Sequence, residues 1–519
     1  MIHILLSISS GLLLTLAFPK PDLAFLAWFA LIPLMIIASQ KKSLIKLLLL
    51  GLLSGLVHYT SLLYWIIQAL CHLVHLPYTQ SLTIFCLLSV YLSIYPAFFL
   101  IFCNRFCNST ISALFLIPAF WVVLEYVRTY LISGFPWGLL GYTQFKHTLI
   151  IQISDLFGVY GVSYLIILGN VAFFFLVMAA SRKTWKGKKV TWTRALTTVL
   201  IYFCCFCLSV IYGQYCIDSW DQHIQARPSA SFAIIQGNID QSIKWDPKYT
   251  RTSEKKYLNL SITQQSNQPD LFVWPETALT FYFQKKSRQS KKIKHFIKIM
   301  KTDFLIGSPA YIRNNSDQYS FYNRAYLISK NGTISQSYDK YHLVPFGEYI
   351  PFQEALFFMK KFVEGENNFS SGNKLQPIQW KNYRIAVQIC YEIIFPYICR
   401  TIVQNNAHII INMTNDAWFG NTGAPYQHFA MAAFRAIENR RALIRSANTG
   451  ISGLIDPLGR VLAKTPLFKD IAFTVDACLI EKKSLYTRYG NFFANFCMFS
   501  IYIAVFLRLS QHFNQRRTS

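Results

Sequence analysis

Acidic residues are scarce in this chain. Its 519 residues hold 24 Asp+Glu against 50 Lys+Arg, and charged residues of both signs make up only 14%. A soluble globular chain carries roughly 25% charged residues, so a single large soluble enzyme is excluded. Disorder is excluded as well, because aromatic residues reach 16%. Several motifs are missing. No G-x-G-x-x-G, P-loop, H-E-x-x-H or G-x-S-x-G occurs, which removes the common dinucleotide, nucleoside-triphosphate, zinc-protease and serine-hydrolase signatures. Paired C-x-x-C spacing is absent too, so no metal is expected, and no internal repeat is seen. No Lys or Arg precedes the first apolar stretch, no small-x-small site follows it, and the next residues are Pro19-Lys20-Pro21-Asp22. That pattern reads as a retained membrane span and not as a cleaved signal peptide.

The net charge of +26 is unevenly placed. Residues 1–217 hold 13 Lys+Arg and 3 Asp+Glu, residues 218–488 hold 34 and 21, and residues 489–519 hold 3 and none. The first and last parts are membrane-like in composition. The middle part, 218–488, is soluble in composition and long enough for one large core. A span needs about 20 mostly apolar residues. Seven candidates precede the soluble part, near 2–18, 22–39, 46–70, 81–103, 110–132, 150–180 and 195–215, and an eighth lies near 491–508. Lys41, Lys42 and Lys46, then Arg105, then the six Lys+Arg from Arg182 to Arg194, then Arg508, Arg516 and Arg517 fall in alternate loops and the tail. The intervening loops are nearly neutral. By the positive-inside rule, both termini face the cytoplasm and the soluble part lies outside, which in a bacterium is the periplasmic side of the inner membrane. Glu125 and Arg128, three apart in the fifth candidate, are expected to form an ion pair within the membrane. Three of the twelve cysteines lie in the soluble part, Cys390, Cys399 and Cys478. That odd number leaves at least one free thiol in an oxidising compartment. The basic run 285–298 lacks a nucleic-acid fold signature and reads as a solvated helix face.

Within 218–488, short apolar runs alternate with helical stretches such as 249–264 and 425–441, the pattern of a layered α/β domain. Three segments carry candidate chemistry. Val273-Trp274-Pro275-Glu276-Thr277 places Glu276 just after a buried strand. Residues 338–348, YDKYHLVPFGE, carry Lys340 and Glu348, and VQICYE at 387–392 places Cys390 at the end of an apolar strand. A thiol, a carboxylate and an ammonium are the parts of a nucleophile, its base and an oxyanion-holding cation, and the cation could also lower the thiol pKa. The same residues have ordinary readings: a strand cysteine is usually a small buried hydrophobe, a Pro-Glu pair a turn, and a loop lysine solvated.

In this order the three segments resemble the Glu-Lys-Cys triad of the nitrilase superfamily. The whole chain resembles, more closely, the apolipoprotein N-acyltransferases of Gram-negative bacteria. Further segments carry that likeness: QGNI…KWD at 236–246, VPFGEY at 344–349, NDAWFG at 415–420, RAIENRR at 435–441, NTGIS at 448–452 and GFPW…GYTQ within 134–144. The resemblance implies a multi-pass α-helical membrane bundle, an α/β nitrilase-like domain (an α-β-β-α sandwich) and one last span. It implies Glu276 as general base, Lys340 as oxyanion-stabilising cation and Cys390 as nucleophile, with no cofactor. The implied substrates are a phospholipid acyl donor, typically phosphatidylethanolamine at sn-1, and the α-amine of a diacylated apolipoprotein acceptor, joined through a Cys thioester. Glu348 is implied in a supporting role. Glu392, two residues past Cys390, would share its strand face, and the Tyr391 N–H is a candidate oxyanion donor. Trp245 and Trp418 match family positions on loops near the site entrance. A membrane-embedded monomer with no nucleic-acid partner is expected. Two other readings are a membrane-tethered amidohydrolase, which would pass the acyl group to water, and a transporter with a large external domain.

Overall fold

The computed structural model describes residues 1–73, 76–313, 317–349 and 369–517. Residues 74–75 of the neutral 71–80 loop lie outside the described residues, as do the side chains of Arg516 and Arg517. The chain divides into two compact units. One comprises Met1–Tyr64, Leu82–Cys216 and Tyr489–Ser519, the other Trp65–Ser81 and Ile217–Arg488.

Among the described residues, six helices are long and apolar enough to cross a membrane: Leu44–Leu62, Tyr78–Arg105, Thr110–Tyr130, Val159–Ala180, Trp192–Gln225 and Phe492–Ser510. Their lengths differ from the hydropathy reading in several places. The first two candidate spans form the shorter apolar helices Ile2–Leu16 and Ala24–Ala38. At about 1.5 Å per residue, 15 residues fall short of a ~30 Å hydrocarbon core. The third candidate, 46–70, ends at Leu62, and a separate helix, Trp65–Leu73, clusters with the other unit. The sixth begins only at Val159, because Gly158 adopts φ +65 and interrupts the helix. Glu125 and Arg128 are not paired with each other among the described residues. Glu125 accepts hydrogen bonds from the Leu140 N–H (2.7 Å) and the Trp121 indole (2.9 Å), while Arg128 donates to the Tyr59 hydroxyl and the Gly138 carbonyl. Each side chain thus takes one partner from the 138–140 loop in place of the direct pair, and Glu125 Oε2 is buried without a hydrogen-bond partner among the described residues.

The second unit is built on two six-stranded sheets. In chain order the strands are β1 Ser229–Gln236, β2 Leu271–Val273, β3 Asp303–Arg313, β4 Tyr319–Ile328, β5 Ile334–Asp339, β6 Ile378–Trp380, β7 Tyr383–Ile389, β8 Ile409–Thr414, β9 Leu443–Ala447, β10 Gly453–Ile455, β11 Val461–Lys464 and β12 Ile471–Cys478. The first sheet has the order β12-β1-β2-β3-β4-β5 and the second β11-β10-β9-β8-β7-β6. At the centre of each sheet the strands are parallel, β1-β2-β3 in one and β7-β8-β9 in the other. The burial agrees: β2, β8 and β9 are buried along their whole length, as parallel strands covered on both faces require. The sheets pack against each other. The Ser446 hydroxyl of β9 is 3.1 Å from the Val273 carbonyl of β2, and Phe232 of β1 packs on Trp380 of β6. Helices cover the outer faces. Thr250–Ile262 and Arg288–Met300 bring Tyr257, Leu258, Ile293, Ile297 and Met300 onto Ala233, Ile235, Phe272 and Phe304. Pro396–Gln404 and Ala424–Asn439 lie against the second sheet, burying Ile398, Ile402 and every residue of the second helix except Tyr426. The result is an α-β-β-α sandwich.

Candidate active site

Strand ends deliver the three sequence-marked side chains. Glu276 follows β2, after the Trp274 N–H has made a last ladder bond to the Leu305 carbonyl at 2.9 Å. The turn is tight: Thr277 takes φ +44, unusual for a β-branched residue. It lies so close to β3 that a Cβ on Gly307 would sit 2.5 Å from both the Pro275 carbonyl oxygen and the Thr277 nitrogen, which is why β3 carries a glycine there. Lys340 follows β5, its N–H bonded to the Asn323 carbonyl of β4 at 2.9 Å. Cys390 ends β7 and opens a 3-10 turn, Cys390–Ile394, with φ +50. A non-glycine residue in the left-handed region, at the junction of strand and helical turn, marks a position held by its surroundings.

The three meet in one buried cluster. The Lys340 ammonium, 1% exposed, lies 2.9 Å from the Glu348 carboxylate and 3.3 Å from Glu276 Oε1. Asn323 Nδ2 donates to Glu276 Oε1 at 2.8 Å and to Glu348 Oε1 at 3.0 Å. The second oxygen of Glu276, Oε2, is buried and has no hydrogen-bond partner among the described residues. Glu348 is fixed in turn by the Val344 N–H at 2.9 Å. Burial alone would lower the Lys340 pKa, but the Glu348 and Glu276 charges outweigh it and raise it above the ordinary lysine value. Cys390, 6% exposed, behaves oppositely to the simple expectation for a thiol beside a lysine. Burial pushes its pKa up, and the negative charge of Glu276 adds to the rise. Lys340 and the Thr414 hydroxyl pull only partly the other way. The resting thiol is therefore protonated, and it needs a base at the moment it reacts.

Glu392 is not on the strand face of Cys390, because β7 ends at Ile389 and the chain turns into the 3-10 segment. Its carboxylate, fully buried, folds back to accept the Ile389 N–H at 2.7 Å. It also takes the Tyr341 and His342 N–H groups at 2.6 and 3.1 Å and the Tyr338 hydroxyl at 3.0 Å. It thereby ties the cysteine turn to the lysine loop. Burial, opposed mainly by the Ile389 bond, raises it to about 7. Tyr391 packs its ring edge-on to Phe395. Trp245 is 43% exposed, and it lines a cavity of about 730 Å³ together with Trp418, Glu276, Asn323 and Glu348.

Sequence reasoning passed over several residues here. Asn323 was hidden inside β4, where only the register Arg324↔Asp339 brings it beside Lys340; a polar amide in an apolar strand was the available signal. Lys244, next to Trp245 in the KWD segment, is buried, and its ammonium donates to the Thr277 hydroxyl at 2.7 Å and the Glu276 carbonyl at 3.3 Å. Burial lowers it to about 8. Beneath Asn415, Asp416 accepts from Arg445 at 2.8 Å and faces His428 Nδ1 at 3.1 Å, all three fully buried. Burial would raise the Asp416 pKa, yet the Arg445 charge holds it well below the usual carboxylate range. Among the described residues no group of three or more His, Cys, Asp or Glu side chains is arranged to hold a metal.

Comparison with known proteins follows the same division. Residues 10–172 match the family model described as the apolipoprotein N-acyltransferase N-terminal domain, and residues 231–479 match that of carbon-nitrogen hydrolase. An apolipoprotein N-acyltransferase of Geobacter metallireducens is 39% identical over 496 residues, covering 95% of this chain and 93% of that protein. Apolipoprotein N-acyltransferase 1 of Treponema denticola is 30% identical over 96% of this chain and 94% of its own length. The apolipoprotein N-acyltransferase of Rickettsia bellii is 30% identical over 99% of this chain and 98% of its own.

Proposed function

The chain belongs to the apolipoprotein N-acyltransferase family, and from that premise we propose that it acylates the N-terminal amine of diacylglyceryl-cysteine lipoproteins through a thioester on Cys390. The observation that carries this reading is the Glu276–Lys340–Cys390 cluster: a protonated thiol, a buried carboxylate oxygen without a partner, and an ammonium locked by Glu348.

In the first half-reaction Cys390 Sγ bonds to the sn-1 ester carbonyl carbon of a phospholipid such as phosphatidylethanolamine, as its proton passes to Glu276 Oε2. The tetrahedral oxyanion faces the Lys340 ammonium and the Tyr391 N–H. Collapse breaks the C–O bond, and Glu276 returns the proton to the departing lysophospholipid oxygen. In the second half-reaction the acceptor nitrogen bonds to the thioester carbon and the C–S bond breaks. One acceptor proton reaches the cysteine sulfur by way of Glu276, and the other leaves to water. Splitting the acyl transfer in this way replaces one difficult step with two easier ones. Glu348 holds Lys340, Glu392 holds the cysteine turn, and Trp245 and Trp418 supply apolar wall for the acyl chain. Loop charge supports an inner-membrane protein with the sandwich on the periplasmic side; thiol labelling of cysteines introduced into exposed sandwich loops of intact cells tests that orientation.

The deciding experiment incubates the purified chain with acyl-labelled phosphatidylethanolamine and a diacylated lipopeptide. A label on Cys390, then on the peptide amine, is expected. Free fatty acid alone would indicate a hydrolase, and full activity in Cys390→Ala would refute the mechanism.

A further inference from the structure

The two buried side-chain polar atoms of the cavity lining that lack a hydrogen-bond partner among the described residues are both acceptors. Asn323 donates its amide nitrogen to two carboxylates, Glu276 at 2.8 Å and Glu348 at 3.0 Å. Carboxylate oxygens only accept, so the NH2 side of the amide must face them and Oδ1 must point away. That oxygen is buried, on a side chain 3% exposed, and has no partner among the described residues. Glu276 Oε2 is in the same condition. Both residues line the 730 Å³ cavity, and the charged residues lining it, Asp240, Glu276 and Glu348, are all acidic. A buried acceptor left unmade is costly. A group that completes this site must bring hydrogen-bond donors, and the three acidic side chains, balanced only in part by the Lys340 ammonium on Glu276 and Glu348, favour a cationic one.

We propose that Asn323 Oδ1 and Glu276 Oε2 form a subsite for a primary ammonium group, a specificity site that rests on the acyl-transfer reading above. Two substrates of that reaction carry such a group, the ethanolamine headgroup of the donor and the α-amine of the acceptor. For the acceptor the chemistry is direct. Glu276 Oε2 removes one proton from the ammonium, Asn323 Oδ1 accepts a second N–H, and the freed lone pair is turned toward the thioester carbon. The N–C bond forms, the C–S bond breaks, the proton on Glu276 goes to the cysteine sulfur and one further proton leaves to water. Water, without the positive charge, gains less from two acceptors flanked by acidic groups, so the subsite favours aminolysis over hydrolysis of the thioester.

The test compares wild type with Asn323→Ala, as full-length protein in lipid nanodiscs whose thermal melts are recorded in parallel. Thioester formation on Cys390 is timed with acyl-labelled phosphatidylethanolamine and, separately, phosphatidylglycerol. Discharge is timed with a diacylated lipopeptide bearing either a primary α-amine or an α-hydroxyl, which has a single donor and no positive charge. If the acceptor amine uses the subsite, discharge in the variant falls about 10- to 100-fold more than thioester formation does. The wild-type preference for the amine over the hydroxyl acceptor then shrinks in the variant, and a larger share of the thioester goes to free fatty acid. If the headgroup uses it, thioester formation from phosphatidylethanolamine falls selectively while that from phosphatidylglycerol does not. Equal loss in every arm, or no loss in any, with an active wild type, overturns the subsite and leaves the acyl-transfer reading intact. A wild type that forms no thioester overturns the acyl-transfer reading itself. The wild-type comparison of amine with hydroxyl acceptor needs no variant, so a poorly folding Asn323→Ala still leaves a test: equal discharge rates for the two acceptors refute the acceptor form.

Discussion

Removing the Lys340 ammonium should destabilise the sandwich in a pH-dependent way. Lys340 is 1% exposed and is the cation that contacts both Glu276 and Glu348, at 3.3 and 2.9 Å. Lys340→Met keeps the volume of the stem but leaves two buried carboxylates with only Asn323 between them. Breaking a buried pair by deleting one partner costs about 3–5 kcal/mol. For a unit of this size that corresponds to a fall of roughly 6–12 °C in melting temperature. The pH dependence follows from which group is charged. In the wild type the Lys340 pKa is raised, so its contribution is fully present below the ordinary lysine range and is lost only as pH rises through the higher folded value. It therefore does not vary between pH 5 and 8. In the variant, proton uptake discharges the stranded carboxylates, so the deficit should be largest at pH 8 and shrink toward pH 5. The double variant Lys340→Met/Glu348→Gln should recover part of the loss at pH 8. The assay is thermal unfolding of the detergent-solubilised chain at both pH values. A deficit that is absent, or equal at pH 5 and 8, or untouched by Glu348→Gln, would refute the electrostatic account.

Glu392→Gln should cost about 1–3 kcal/mol, because an amide NH2 must then face backbone N–H donors at Ile389, Tyr341 or His342. Since burial raises Glu392 to about 7 in the fold, the stability tied to its protonated form is present below about 4.5 and lost as pH rises through 7, and the variant's melting curve should be flatter across that window. Gly450→Ala should prevent normal folding, seen as loss of soluble, monodisperse protein, since its Cβ would lie 2.1 Å from Asp416 Oδ2 in the fully buried Arg445–Asp416 pair. Trp245→Ala should leave the melting temperature within about 1 °C, because the side chain is 43% exposed, yet weaken acyl-donor use as a higher KM.

Glu276 and Cys390 stand out in the sequence because each follows or ends an apolar strand, whereas Lys340, after the polar strand Ile334–Asp339, is singled out with them by the resemblance of the three segments to the nitrilase triad. Asn323 does not stand out, since its importance depends on β4–β5 register, which one chain's local pattern does not encode. Glu392 was misplaced for a related reason: the strand rule of alternating faces stops at Ile389, and nothing in VQICYE announces that Cys390 takes φ +50. Hydropathy likewise found the apolar segments but not their ends. Pro19 and Pro21 stop the first helix at Leu16, and Gly158 delays another to Val159.

The thiols join these observations. Three cysteines in a domain that the loop charges are expected to place outside the cytoplasm pose a problem from composition alone, because an oxidising compartment pairs thiols. Cys390, Cys399 and Cys478 are all free, and burial raises the pKa of each, Cys478 to about 11. Thiolate is the form that attacks disulfides and reacts with oxidants, so all three are protected by remaining protonated. A nucleophile kept ready as a thiolate by Lys340 would be exposed to the same oxidants between turnovers. In this site Lys340 is instead locked by Glu348 and Glu276, and its effect on the thiol is outweighed by burial and by the Glu276 charge. In the proposed mechanism the reactive form of Cys390 is generated only when an ester carbonyl is in place to receive the sulfur as Glu276 takes the proton. On that proposal reactivity is coupled to substrate rather than to pH, which would reconcile a free nucleophilic cysteine with the periplasmic location expected from the loop charges.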